Sequence, residues 1–194
     1  MKKAFVSLFA VLFVLAAQAQ KPEGLFINSK APEFKLKDQS GTDVSLKELR
    51  KKGSVVLLFY RGNWCPFCNR ELKAFQDSLE QIQAKGAQLV AITPETREGI
   101  DSTMRKTGAV FPLLYDENLK VATEYQVVYN LDDKTVNRYK VGGIDLLKIN
   151  NQKVAMLPIP AVYIINQEGT VTYRYFDENY RNRVSVKEIL KNIR

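Results

Sequence analysis

The chain has no histidine and only two cysteines among its 194 residues. Without an imidazole, neither a Ser–His–Asp triad nor a Cys–His pair can be assembled. Two cysteines supply half the ligands of an ordinary structural zinc site, so no metal and no other cofactor is expected. Tryptophan is almost missing too, with a single residue at Trp64. Low-complexity tracts and internal repeats are lacking, and apolar residues make up 45% of the chain, an ordinary share for a globular protein. These features exclude a disordered chain, and the length suits one domain.

Clustered charge is also lacking. The formal net charge is +8, but the basic residues are scattered and their longest run is Arg50-Lys51-Lys52. Nucleic-acid binding calls for a basic stripe or a known module, so no nucleic-acid partner is expected. The one long apolar run lies at the start. Met1-Lys2-Lys3 is basic, Ala4 to Ala17 is broken only by Ser7, and Ala17-Gln18-Ala19 is a small-x-small cleavage pattern. That order predicts a signal peptide over 1–19, with the mature chain starting near Gln20. The run falls short of the ~20 apolar residues of a membrane span, and no cysteine near the cut could carry a lipid. The expectation is an exported, soluble protein with no stable membrane association after cleavage, periplasmic in a Gram-negative bacterium and otherwise secreted. Loss of Lys2 and Lys3 lowers the net charge to +6.

After the leader, residues 20–29 form an N-terminal arm and 30–194 a single domain. Ser45-Leu46-Lys47-Glu48 is a capping box that starts a short helix. Val55 to Tyr60 is an unbroken apolar run of strand length, as in a central strand covered on both faces. Cys65-Pro66 then opens a helix, since proline is favoured at the first helical position. Leu72, Phe75, Leu79 and Ile82 recur at helical spacing as far as Gly86. Gln88 to Ile92 is a strand, Thr93-Pro94 leads into a helix, and Val162–Ile165 and Thr170–Phe176 are strands joined by a hairpin loop. Ser185 caps a final helix. Alternating strands and helices predict an α/β fold with a mixed central sheet flanked by helices. Residues 129–157 fit this rhythm poorly and are taken as a partly helical insertion over the site or at a partner surface.

The chemistry concentrates at Trp64-Cys65-Pro66-Phe67-Cys68. At a helix start, unpaired backbone N–H groups and the helix dipole favour the Cys65 thiolate, and Arg61 and Arg70 stand close by in sequence. A thiolate there titrates below the ordinary ~8.5. Cys68, one turn on, is placed to attack a sulfenic acid or mixed disulfide on Cys65. Cys65 should be the exposed attacker and Cys68 the more buried partner. The competing explanations are a structural disulfide, which would constrain so small a loop very little, inert core cysteines, and a zinc half-site shared between chains.

Leu57 to Cys68 resembles the active-site segment of thioredoxin-like proteins. Gly86 to Pro94, Phe111-Pro112-Leu113-Leu114-Tyr115-Asp116 with Val121, Ala122 and Tyr125, and Pro158 to Ile165 resemble segments of peroxiredoxins of the alkyl hydroperoxide reductase/thiol-specific antioxidant family. The likeness covers about 30–194. It implies a thioredoxin-like fold, Cys65 as peroxidatic and Cys68 as resolving cysteine, and Pro160 as a cis-proline beside the site, with Pro158 its competitor. It also implies a peroxide substrate and a thioredoxin-like electron donor, and is compatible with a homodimer. Two positions depart from the family pattern. Gly62 stands where threonine or serine is usual, three residues before Cys65, and Pro160 stands at about the place of an arginine. Those groups bind the peroxide oxygens, so Arg61 becomes the candidate for the missing positive charge, with Trp64 beside it. Three functions follow: a thiol-dependent peroxidase, an exported oxidoreductase reducing protein disulfides, and a binding module without turnover whose partner surface is 129–157.

Overall fold

The computed structural model describes residues 21–194; the expected signal peptide lies outside them. A small antiparallel pair, β1 (Lys35–Lys37) and β2 (Asp43–Ser45), leads into helix α1 (Leu46–Arg50). The Ser45 side chain accepts the Glu48 N–H at 3.2 Å, as its capping pattern requires. Strand β3 (Ser54–Phe59) is the centre of a five-stranded sheet. Its neighbours are β4 (Ala87–Thr93), parallel, and β8 (Ala161–Ile165), antiparallel. The sheet is completed by β5 (Leu113–Tyr115) beside β4 and β9 (Val171–Phe176) beside β8.

Both faces of β3 are buried, which is why its sequence is apolar without alternation. Val55, Leu57 and Phe59 face one core with Leu46, Tyr125 and Tyr163. Val56, Leu58 and Tyr60 face the other, with Leu72 and Phe75 of α2 (Pro66–Asp77), Ile82 of α3 (Leu79–Ala84), Ile100 of α4 (Arg97–Thr107) and Ile189 of α8 (Val186–Asn192). The helical run expected from Pro66 to Gly86 is two helices. At Ser78 the backbone leaves helical geometry (φ −113°, ψ 10°), so Leu79 and Ile82 belong to a second, shorter element. Helix α4 begins later than expected, at Arg97, after an extended Thr96.

The arm is bound rather than free. Leu25 is buried and its N–H donates to the Tyr163 hydroxyl at 3.1 Å, while Asn28 and Ala31 donate to Val171 and Gly169 carbonyls. The 129–157 segment is closed at its base by β6 (Val128–Asn130) pairing antiparallel with β7 (Met156–Pro158). Between them run α6 (Asp133–Val141) and α7 (Leu146–Ile149), capped by Asp132 and Asp145. All described peptide bonds are trans, those of Pro158 and Pro160 included, which corrects the cis-proline expectation. Pro160 links two extended strands, β7 and β8, while the preceding Ile159 N–H bonds to Val127 at 2.7 Å.

Helix α5 (Lys120–Glu124) follows a 3₁₀ turn and is held from below by Asp116, whose fully buried carboxylate accepts from Val121 N–H at 3.0 Å and Ala122 N–H at 2.8 Å. Asp116→Ala strands both donors and is expected to cost roughly 2 kcal/mol; an unchanged denaturation midpoint would show that water replaces the carboxylate.

Candidate active site

The site lies at the carboxyl end of β3, where the chain turns from sheet to helix. Cys65 is the N-cap of α2 and Pro66 its first residue. The two sulfurs face each other at 2.8 Å, and both cysteines are free. That is beyond the ~2.05 Å of a disulfide, yet closure needs only a small approach. The Cys68 thiol, hydrogen-bonded to the Cys65 sulfur, brings Cys65 down to about 6 against the opposing effect of burial. The Cys68 backbone N–H and the charges of Arg61 and Arg183 add to this lowering. Cys68 moves the other way. Its burial and the neighbouring Cys65 push its pKa up.

Cys65 is 1% exposed, not the open attacker expected from its place in the motif. Trp64 and Phe67 pack against the cluster that holds it. The Trp64 ring meets Tyr139 of α6 at 5.1 Å, and Phe67 meets Tyr180 of the loop after β9 at 5.8 Å. Arg61 is enclosed by the same rings: its guanidinium carbon lies 4.9 Å from the Trp64 centroid, 5.7 Å from Tyr139 and 4.2 Å from Tyr180. Its Nη2 donates to the Tyr139 hydroxyl, whereas Nε is buried without a partner. Beside it opens a cavity of about 420 Å³ lined by Arg61, Tyr129, Arg138, Tyr139, Ile144 and Tyr180.

The glycine at position 62 has a steric reason. Its φ is +145°, and a Cβ there would fall 2.5 Å from Trp64 Nε1 and 2.7 Å from Glu95 Oε1. No threonine fits. The indole N–H occupies that space instead, buried and with no partner among the described residues. Glu95, absent from the sequence-level candidates, is fully buried. Its Oε1 accepts the backbone N–H of Asn63 at 2.7 Å and the Asn63 amide, and Oε2 accepts from Thr103 at 3.3 Å. Burial pushes its pKa up to about 7. On the other side, Lys106 Nζ and the Asn69 amide donate to Asn63 O, at 2.9 and 2.8 Å. The loop that presents Cys65 is thereby pinned at Asn63.

Of the expected residues, the structure brings Arg61, Trp64, Cys65 and Cys68 together. Pro160 lies one position before Ala161, which pairs with Phe59, and so stands at the same end of the sheet. Arg70 is exposed and lies over the Phe67 ring at 5.6 Å; the second cation acting on Cys65 is Arg183. Tyr139, Tyr180, Glu95 and Arg183 were not legible from local pattern. Glu71 was missed as well, although its charge within the inward stripe Cys68-Leu72-Phe75 is a local signal; the structure buries it there.

The model of the AhpC/TSA family matches residues 27–174. Peroxiredoxin Q, chloroplastic, of Sedum lineare is 38% identical over 128 residues, 64% of this chain and 68% of its own. A peroxiredoxin bcp of Helicobacter pylori is 34% identical over 171 residues, 88% of this chain and 99% of its own. Among solved structures, peroxidoxin BcpB from Mycobacterium tuberculosis superposes with a TM-score of 0.67 at 20% identity, covering 86% of this chain and 95% of that one.

The alkylation rate of Cys65 should rise with pH to a plateau with its midpoint near 6. In Cys68→Ala the midpoint should move up toward the ordinary thiol value of ~8.5, since the largest lowering influence is gone. An unmoved midpoint would assign the effect to the arginines alone.

Proposed function

The chain belongs to the AhpC/TSA family, and from that membership and the site geometry we propose that it is a thiol-dependent peroxidase working through Cys65 and Cys68. One observation carries the reading: a thiolate-prone sulfur is buried beside a cation, with a second sulfur 2.8 Å away. A peroxide oxygen is small enough to reach such a sulfur, whereas a protein disulfide would first have to displace the aromatic layer.

In the first step the Cys65 thiolate attacks one peroxide oxygen. An S–O bond forms, the O–O bond breaks, and the departing oxygen takes up a proton to leave as water or an alcohol. Charge develops on that oxygen, so donors fixed in advance around it lower the barrier. Arg61 provides the positive charge. The unpartnered indole N–H of Trp64 lies where a family threonine would project, and Arg61 Nε is a second free donor. These two residues supply what Gly62 and Pro160 lack.

Cys68 then condenses with the sulfenic acid, and a thioredoxin-like dithiol reopens the disulfide. A donor of that size must reach a sulfur that is 1% exposed and packed under Trp64 and Phe67, so the reduced and oxidised forms should differ around it. Residues 1–19 support a working place outside the cytoplasm, with a partner or relay there supplying electrons.

Reduced protein mixed rapidly with hydrogen peroxide should show a fast change in Trp64 fluorescence that is lost in Cys65→Ser. Slow reaction with peroxide alongside fast exchange with protein disulfides would reverse the assignment. Arg61→Met should lower kcat/KM for peroxide by about 100-fold, measured as peroxide consumption, and Trp64→Phe should lower it less. Fractionation of the source cell should recover a chain whose mass begins at Gln20 outside the cytoplasm; an intact leader on the cytoplasmic form would remove the export proposal.

A further inference from the structure

Arg183 is 115 residues from Cys68 in sequence, yet its Nη2 lies 3.5 Å from Cys68 Sγ. The loop that delivers it is tied to itself: Asp177 accepts from Asn179 N–H and the Asn182 amide, each at 2.8 Å. The same loop sets Tyr180 over Arg61, so one segment serves both sulfurs. The other edge of the guanidinium meets Glu71, with Nε 3.0 Å from Oε2 and both side chains largely buried. This pair lies against a cavity of about 540 Å³, which is also lined by Phe67, Arg70, Asp77 and Arg181. Cys65 has the Cys68 thiol, Arg61 and Arg183 to favour its thiolate. Cys68 is fully buried, and apart from the Arg61 backbone N–H, Arg183 is the group that favours its charge.

We infer that Arg183 is a further catalytic residue, stabilising the Cys68 thiolate as it closes the intramolecular disulfide and again as it leaves when that disulfide is reopened. This deepens the peroxidase reading and rests on its Cys65–Cys68 disulfide. In closure, Cys68 gives up its proton and its sulfur attacks the Cys65 sulfur. The S–S bond forms, the S–O bond of the sulfenic acid breaks, and the released hydroxide takes the proton to become water. In reopening, a donor thiolate attacks the Cys65 sulfur and the electron pair of the S–S bond leaves on Cys68 beside the guanidinium. Glu71 is the counter-charge that moderates the guanidinium, and it acts on Cys68 only through Arg183.

The test uses an aryl disulfide, dithiobis-nitrobenzoate, so that peroxide chemistry is not involved. Reduced protein is labelled at Cys65 with release of one coloured thionitrobenzoate. Attack by Cys68 then breaks the mixed disulfide and releases a second, a phase that Cys68→Ser abolishes. Arg183→Met should slow this second phase by about tenfold or more, since each unit by which a thiol pKa rises removes tenfold of its thiolate near neutral pH. Arg183→Lys should recover part of the rate. Glu71→Gln breaks the same ion pair but leaves the cation, and its second phase should be faster than wild type. An unchanged second phase in Arg183→Met overturns the inference, and so does equal slowing in Arg183→Met and Glu71→Gln, which would make the pair structural. Should Arg183→Met not fold, Glu71→Gln still decides: a faster second phase supports Arg183 and an equal or slower one counts against it. Absence of peroxide turnover with this pattern intact would remove the peroxidase reading alone.

Discussion

Arg61 is a guanidinium withdrawn from water at the end of a central strand, 2% exposed and with no carboxylate bonded to it. An unpaired buried cation costs several kcal/mol, and the surrounding structure is arranged to offset that cost. Three aromatic faces and the Tyr139 hydroxyl contact it, and the Cys65 thiolate is the anion nearest at hand in charge terms. The stabilisation is mutual, because the cation that needs an anion also lowers the pKa of Cys65. Two segments remote in sequence, residues 129–157 and the loop after β9, each place a tyrosine ring against Arg61.

This constraint also accounts for the departure at position 62. A loop that turns Arg61 inward and lays the Trp64 indole across the backbone leaves no volume for a side chain between them, so glycine is required at a φ of +145°. The turn is then stiffened through Asn63. Glu95 holds it from beneath, and Lys106 and Asn69 hold its carbonyl. At Gly62 the space of a side chain is taken by the Trp64 indole, and the buried cation of the site is Arg61.

The two sulfurs divide their tasks by environment rather than by residue type. Cys65 sits at a helix start with hydrogen-bond donors around its sulfur. Cys68 is one turn into the helix, fully buried, and dependent on a loop from the far end of the chain. The loop bearing Tyr180 and Arg183 touches both halves of the site, with Tyr180 over Arg61 and Arg183 beside Cys68.

Local features were legible in the chain alone because their causes are local. The apolar run of β3 follows from burial on both faces, Pro66 begins α2 because it lacks an N–H, and Ser45 caps α1 through its own hydroxyl. The Cys-x-x-Cys spacing likewise announces a redox pair, and the segments from Gly86 to Ile165 resemble the family to which the chain belongs. The run from Pro66 to Gly86 was misleading because helical spacing of apolar residues survives a break at Ser78, which only backbone angles reveal. Burial of Cys65, the direction of Arg61, the trans path through Pro160 and the partners Glu95, Tyr139, Tyr180 and Arg183 were decided by tertiary structure. Each depends on elements 30 to 120 residues apart being folded onto one end of the sheet, and no pattern of neighbouring residues encodes a contact whose two sides meet only after the core has formed.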